Sequence, residues 1–185
     1  GDLLLIRLHG VSNIGFFAPW DDIAWWRGVE AVYMDLYDDP ELLHATMRRI
    51  LEIKQATLTR LEEKNLMDAY MPALHCTAAL VDDLPGEISG GRVTARNLWG
   101  RGTAQVFASV SPAMHDEFEI EYVREYFSRF GLLYYGCCEP LHDKIDIVKK
   151  LPNLRKLSIT PWANVRKAAE QMGGNYVMAR KPNPA

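Results

Sequence analysis

The sequence predicts an α/β fold built on a mainly parallel sheet, and three observations carry the prediction. Short continuous apolar runs alternate with segments of helical period, and from Thr103 onward the alternation of strand and helix repeats four times. Helical segments of this length between strands serve as crossovers, and crossovers are what parallel pairing demands. Polar and sulfur-bearing residues fall directly after the apolar runs, where the loops of such a sheet converge.

The run Leu3 to Leu8, ending at His9-Gly10, reads as a strand buried on both faces. Asp22 to Tyr37 carries Ile23, Trp26, Val29, Val32, Tyr33 and Leu36 at spacings of three and four, which predicts one helix. Asp39-Pro40-Glu41 then supplies an N-cap, a first-turn proline and a first-turn acid. The stripe of Leu43, Met47, Ile50, Leu51, Leu58 and Leu61 continues that second helix. Leu66 to Cys76 is read as a strand interrupted by Pro72, and the glycine-rich stretch Thr77 to Gly102 as an irregular insertion.

Ala104 to Ser109 is predicted as a strand, followed by a helix that opens at Ser111-Pro112 and stops at Phe130-Gly131. The strand Leu132 to Gly136, a short helix near Asp143 to Leu151, the strand Leu154 to Thr160, a helix around Ala163 to Met172 and the strand Tyr176 to Ala179 complete the series. The expected architecture is one domain over residues 1–185, a partial or complete (β/α)8 TIM-barrel-like parallel sheet. Five or six strands are legible where a closed barrel needs eight, so truncation at both ends is expected, and a homodimer is one way to complete the sheet.

Of the 185 residues 48% are hydrophobic and 24% charged, with a net charge of -3. That balance suits one globular core and lacks the basic excess that a phosphate backbone attracts, which argues against a nucleic-acid partner. No apolar run approaches the ~20 residues a bilayer requires, so no membrane partner is expected. Three cysteines, two of them adjacent, favour free thiols in a reducing, cytoplasmic setting. No glycine-rich phosphate loop occurs, which disfavours a nucleotide enzyme.

Reading the strand ends gives His9, then His75 and Cys76, Ser109 and Ser111, Cys137 with Cys138 and Glu139, Ser158 and Thr160, and Arg180 with Lys181. His9, His75, Glu139 and Lys181 are the candidate catalytic residues. Thiols and an imidazole are ligands suited to zinc, so Cys138, Cys137 and His75 are candidate metal ligands. Neighbours on an extended chain point to opposite faces, so both cysteines reach one mouth only if the backbone turns sharply. Trp20 and Trp162, both expected in loops, are candidates to line a pocket for a cofactor or small-molecule substrate. His115 and His44 fall within predicted helices and are set aside.

The segments Leu133-Tyr134-Tyr135-Gly136-Cys137-Cys138-Glu139-Pro140, Leu154 to Trp162 and Tyr176 to Pro184 resemble the uroporphyrinogen decarboxylase superfamily, which also holds cobalamin-dependent methyltransferases. Asp35 to Arg49 is similar to a helix start in those proteins, so the resemblance covers most of the chain. It implies an internal part of a (β/α)8 barrel. In the family's methyltransferases a His-x-Cys motif with a later cysteine binds zinc, which activates a thiol acceptor, and a corrinoid protein supplies the methyl group. Cys138, or Cys137 in the alternative register, matches the motif's cysteine, while Gly136 or Tyr135 stands where its histidine would be. The later cysteine would fall beyond Ala185. The family's decarboxylases carry an arginine-rich motif that would precede Gly1, and their strand-end aspartate meets Ala108-Ser109.

Three readings follow. One is zinc-dependent methyl transfer involving a corrinoid protein or a thiol acceptor. The second is a carbon-carbon lyase in which His9, His75 or Lys181 polarises a substrate carboxylate. The third is an inactive fragment or binding module.

Overall fold

A computed structural model describes residues 10–183. The predicted strand at Leu3 to Leu8, together with His9, lies outside the described residues. Among these, five strands form one parallel sheet: β1 (Phe16–Phe17), β4 (Trp99–Gly102), β5 (Leu132–Tyr135), β6 (Leu154–Ile159) and β7 (Val177–Arg180), in the order β1-β4-β5-β6-β7. From β4 onward the order rises without reversal. A two-stranded antiparallel hairpin, β2 (Ala73–Leu74) with β3 (Thr77–Ala78), lies apart from that sheet in pairing.

Where periodicity is strong the expected helices form. The helix α3 (Pro40–Glu63) starts on Asp39, whose carboxylate accepts the Leu42 N–H at 3.2 Å, and it buries Leu43, Met47, Leu51 and Leu58. The short α6 (Ile145–Val148) and α7 (Val165–Met172) follow β5 and β6. The single helix expected over Asp22 to Tyr37 is instead two, α1 (Pro19–Arg27) and α2 (Val29–Asp38). Gly28 separates them at φ +90°, a conformation that ends a right-handed helix and that glycine adopts without steric cost. Trp20, expected in a loop, therefore belongs to α1.

Two further expectations are corrected. The stretch Thr77 to Gly102 contains β4, a strand with partners on both sides. Its glycines are a packing requirement: a Cβ on Gly100 would come within 2.9 Å of the Phe127 ring, and one on Gly102 within 2.7 Å. The segment read as a strand from Ala104 to Ser109 forms a 3-10 turn at Gln105–Ser109. Its backbone is claimed by other elements, for Asp21 accepts the Val106 N–H at 3.2 Å and the Val106 carbonyl accepts the Tyr33 hydroxyl at 2.5 Å.

The connection from this turn to β5 opens as expected at Ser111, whose hydroxyl accepts the Met114 N–H at 3.2 Å. It runs through α4 (Pro112–His115), a π turn (Asp116–Ile120) and α5 (Glu121–Phe127). Side chains of α3, α5, α6 and α7 share one apolar cluster with Leu133, Tyr135, Leu157 and Ile159, the residues that alternate onto one face of the sheet. Burial of this cluster is the main drive to the fold, at about 25 cal/mol per Å² of apolar surface. The opposite face carries Trp99, Leu132 and Tyr134, which cluster with Leu74 and Ala79 of the hairpin region. Trp99 donates its indole N–H to the Ala79 carbonyl at 2.9 Å, and Lys156 reaches the Ala78 carbonyl at 2.7 Å. Helices thus cover one face and a small hairpin covers the other. No helix among the described residues is long and apolar enough to cross a membrane.

Candidate functional site

The five parallel strands deliver their C-terminal ends to one edge, and the expected strand-end residues are distributed there over two layers. On the hairpin side, Arg101 of β4, Tyr134 of β5, Ser158 of β6 and Lys181 just after β7 approach His75 and Cys76. The expected strand ending at His75 is not formed. Among the described residues Met67 makes an isolated parallel bridge to Val11, and His75-Cys76 form the two-residue turn of the β2–β3 hairpin. His75 takes φ +54°, the left-handed conformation that such tight turns use. The turn brings Cys76 Sγ to 3.6 Å from the Tyr134 hydroxyl.

Gly136 turns the chain at φ +97° directly after β5. That turn brings both neighbouring sulfurs to one side, with Cys137 Sγ and Cys138 Sγ 3.7 Å apart, Cys137 buried and Cys138 exposed. The Cys137 carbonyl accepts two bonds, from Lys181 Nζ at 2.6 Å and from Ser158 Oγ at 2.9 Å. Lys181 Nζ also stands 3.9 Å from Cys137 Sγ. Burial pushes the Cys137 thiol up to about 11, against the pull of Lys181. All three cysteines are free.

The layer is cationic. Arg101 lays its guanidinium over the Phe16 ring at 4.6 Å, and its Nε is buried without a hydrogen-bond partner. Among the described residues neither Arg101, Lys156 nor Lys181 forms an ion pair. Desolvation, followed by the Arg101 and Lys181 charges, holds the His75 imidazole below its usual value, so it is neutral at neutral pH. A cleft of about 380 Å³ opens beside these groups, and Phe16, Met71, Leu74, His75, Trp99 and Arg101 are among its walls. Its apolar sides and the Arg101 guanidinium in its wall suit a small anion with an apolar body.

On the helix side lies a polar layer that sequence reasoning largely missed. Glu139, an expected catalytic residue, is 1% exposed. Its carboxylate accepts the Thr103 hydroxyl at 2.8 Å, the Ala104 N–H at 3.3 Å and the Cys137 N–H at 2.8 Å. Such saturation makes it a clamp between the ends of β4 and β5. Burial raises its pKa above the ordinary carboxylate range. Beneath it His115, Glu119 and Tyr135 are packed together, with His115 and Glu119 fully buried. His115 Nε2 is 2.6 Å from Glu119 Oε2 and 2.8 Å from the Tyr135 hydroxyl, which itself donates to Glu119. The four-residue spacing of His115 and Glu119 on one helix was the available signal.

Other expectations separate cleanly. Trp20 is fully buried, donates to the Phe118 carbonyl at 2.9 Å and packs on Phe107 at 4.6 Å between ring centres, so it is part of the core. Trp162 is 74% exposed in the turn after β6. Among the described residues no three His, Cys, Asp or Glu side chains are arranged to hold a metal ion, so His75 does not join the two sulfurs as a preformed ligand set. No protein-family model matches the chain, and no curated protein or solved structure matches it either.

Proposed function

We propose that this chain is part of a (β/α)8-barrel enzyme that binds a small polycarboxylate at its strand-end mouth and breaks a carbon-carbon bond beside one carboxylate. Two features support the barrel. The strand order rises in one direction from β4 to β7, and the crossover helices α5, α6 and α7 share a cluster with one face, whereas a doubly wound sheet reverses its order and carries helices on both faces. The resemblance to the uroporphyrinogen decarboxylase superfamily points the same way.

The observation that carries the reaction is the Arg101 guanidinium in the wall of the cleft, which forms no ion pair among the described residues. A buried guanidinium nitrogen without an acceptor is costly, and a bound carboxylate removes that cost. In this reading Arg101 holds one substrate carboxylate while another leaves as carbon dioxide. The electron pair of the broken bond stays on carbon, and the Lys181 ammonium delivers the proton that quenches it. Release of carbon dioxide from polycarboxylates, porphyrinogens included, by the intact protein tests the assignment. Loss of turnover in Arg101→Met and Lys181→Met supports it, while anion binding without conversion would favour a binding module.

A second reading, zinc-dependent methyl transfer with a corrinoid partner, rests on the sulfur pair. Two thiolates bound to one tetrahedral zinc at about 2.3 Å stand about 3.8 Å apart. The 3.7 Å between Cys137 and Cys138 fits that bite. A third ligand such as His75 would have to move in, and Lys181 would have to leave Cys137. Zinc analysis of the purified protein, with and without Cys138→Ala, decides between the two readings.

A further inference from the structure

We propose that Cys137 and Cys138 form a vicinal dithiol which hydrogen peroxide oxidises to a disulfide, and that ring closure loosens the mouth's hold on anions by displacing Lys181. The second half rests on the carboxylate reading above, and the first does not.

The sulfurs are 3.7 Å apart on the same side of the chain, so they must approach by roughly 1.6 Å to reach bonding distance. The Gly136 turn has already removed the main obstacle to a bond between neighbours, which is that extended residues point apart. The two thiols also divide the work. Cys138 is exposed and open to the oxidant, whereas Cys137 is buried against it as the resolving thiol. In the first step the Cys138 sulfur bonds to one peroxide oxygen, the O–O bond breaks and water leaves, giving a sulfenic acid. In the second step the Cys137 sulfur displaces that oxygen as another water. Both thiol protons and two electrons end on the peroxide oxygens, so the sum is one dithiol and one peroxide to one disulfide and two waters.

The link to the mouth is covalent. The new ring contains the peptide bond between the two cysteines, and the carbonyl of that peptide is the group that holds Lys181 Nζ at 2.6 Å and Ser158 Oγ at 2.9 Å. Reshaping the ring turns this carbonyl, so the ammonium at the end of β7 loses its anchor. A strained vicinal disulfide is easily reduced, which makes the change reversible by a dithiol.

The experiment treats the metal-free chain with hydrogen peroxide, counts thiols, measures intact mass and titrates benzoate by calorimetry before oxidation, after it and after dithiothreitol. Expected are a fall from three free thiols to one, a mass loss of two hydrogens, and benzoate affinity about tenfold weaker until reduction. Cys76→Ser must still close the ring, and Cys138→Ser must neither close it nor lose benzoate affinity on oxidation. Three thiols remaining, or oxygen added without a disulfide, overturns the dithiol. A closed ring with unchanged benzoate affinity overturns the coupling alone. A ring that closes in a protein blind to benzoate in both states upholds the dithiol and removes the anion reading.

Discussion

Lys181 Nζ donates to the carbonyl of Cys137 at 2.6 Å, which ties the end of β7 to the end of β5 across the intervening β6. Forty-four residues separate the two in sequence. The contact gathers a cation, two thiols and the Ser158 hydroxyl at one place, and it turns three separate strand ends into a single surface.

Arg101 is the residue on which anion binding should depend most. Arg101→Met keeps the apolar stem that packs near Phe16 and removes the charge, so benzoate affinity should fall roughly tenfold to a hundredfold while the midpoint of urea unfolding barely moves. Calorimetric titration beside an unfolding curve checks both halves, and unaltered affinity would exclude Arg101 from the site.

Gly102 tests the packing of α5 on β4. In Gly102→Ala the new Cβ would lie 2.7 Å from the Phe127 ring and 2.9 Å from Tyr135, both buried. Overpacking of this kind costs about 1–3 kcal/mol, read as a lower denaturant midpoint at constant m-value.

Glu139 should make stability depend on pH. Its pKa is raised in the folded state, so between the ordinary carboxylate value and the raised one the folded protein keeps a proton that the unfolded chain has lost. Stability contributed by this group is complete below the unfolded value and declines as pH rises through the folded one. Asp21, also raised by burial, acts in the same direction. Glu139→Gln should flatten the decline that sets in above the unfolded carboxylate value. It should also lose about 1–3 kcal/mol, because an amide N–H would confront the Cys137 N–H. Unfolding curves at several pH values, wild type against variant, measure both effects.

Tyr135→Phe deletes the hydroxyl that donates to Glu119 and leaves a fully buried carboxylate with His115 as its remaining partner. A loss of about 1–3 kcal/mol is expected in denaturant unfolding. An unchanged midpoint would mean that the Tyr135 hydroxyl contributes nothing net to folding.

Much of the second half of the chain was legible. The strands at Leu132, Leu154 and Tyr176 and the helices between them lie within a few residues of expectation, because each is a run whose own period states its type. The same logic placed Cys137, Cys138 and Lys181 at strand ends. It failed where local pattern and environment disagree. Trp99–Gly102 has a strand's partners and a loop's composition, since Phe127 needs the space two side chains would fill. Ala104 to Ser109 has a strand's pattern, but its backbone groups answer to Asp21, Tyr33 and Glu139.

By itself the sequence determined the α/β class, the parallel progression of the later strands and the chemical types waiting at their ends, because hydrophobic period and helix caps are local properties. Tertiary structure alone decided that a hairpin turn brings His75 and Cys76 over the sheet, that one glycine turn sets two sulfurs side by side, and that Arg101 and Lys181 form no ion pair among the described residues. Those outcomes depend on contacts between residues far apart in the chain, whose energies no short stretch of sequence contains.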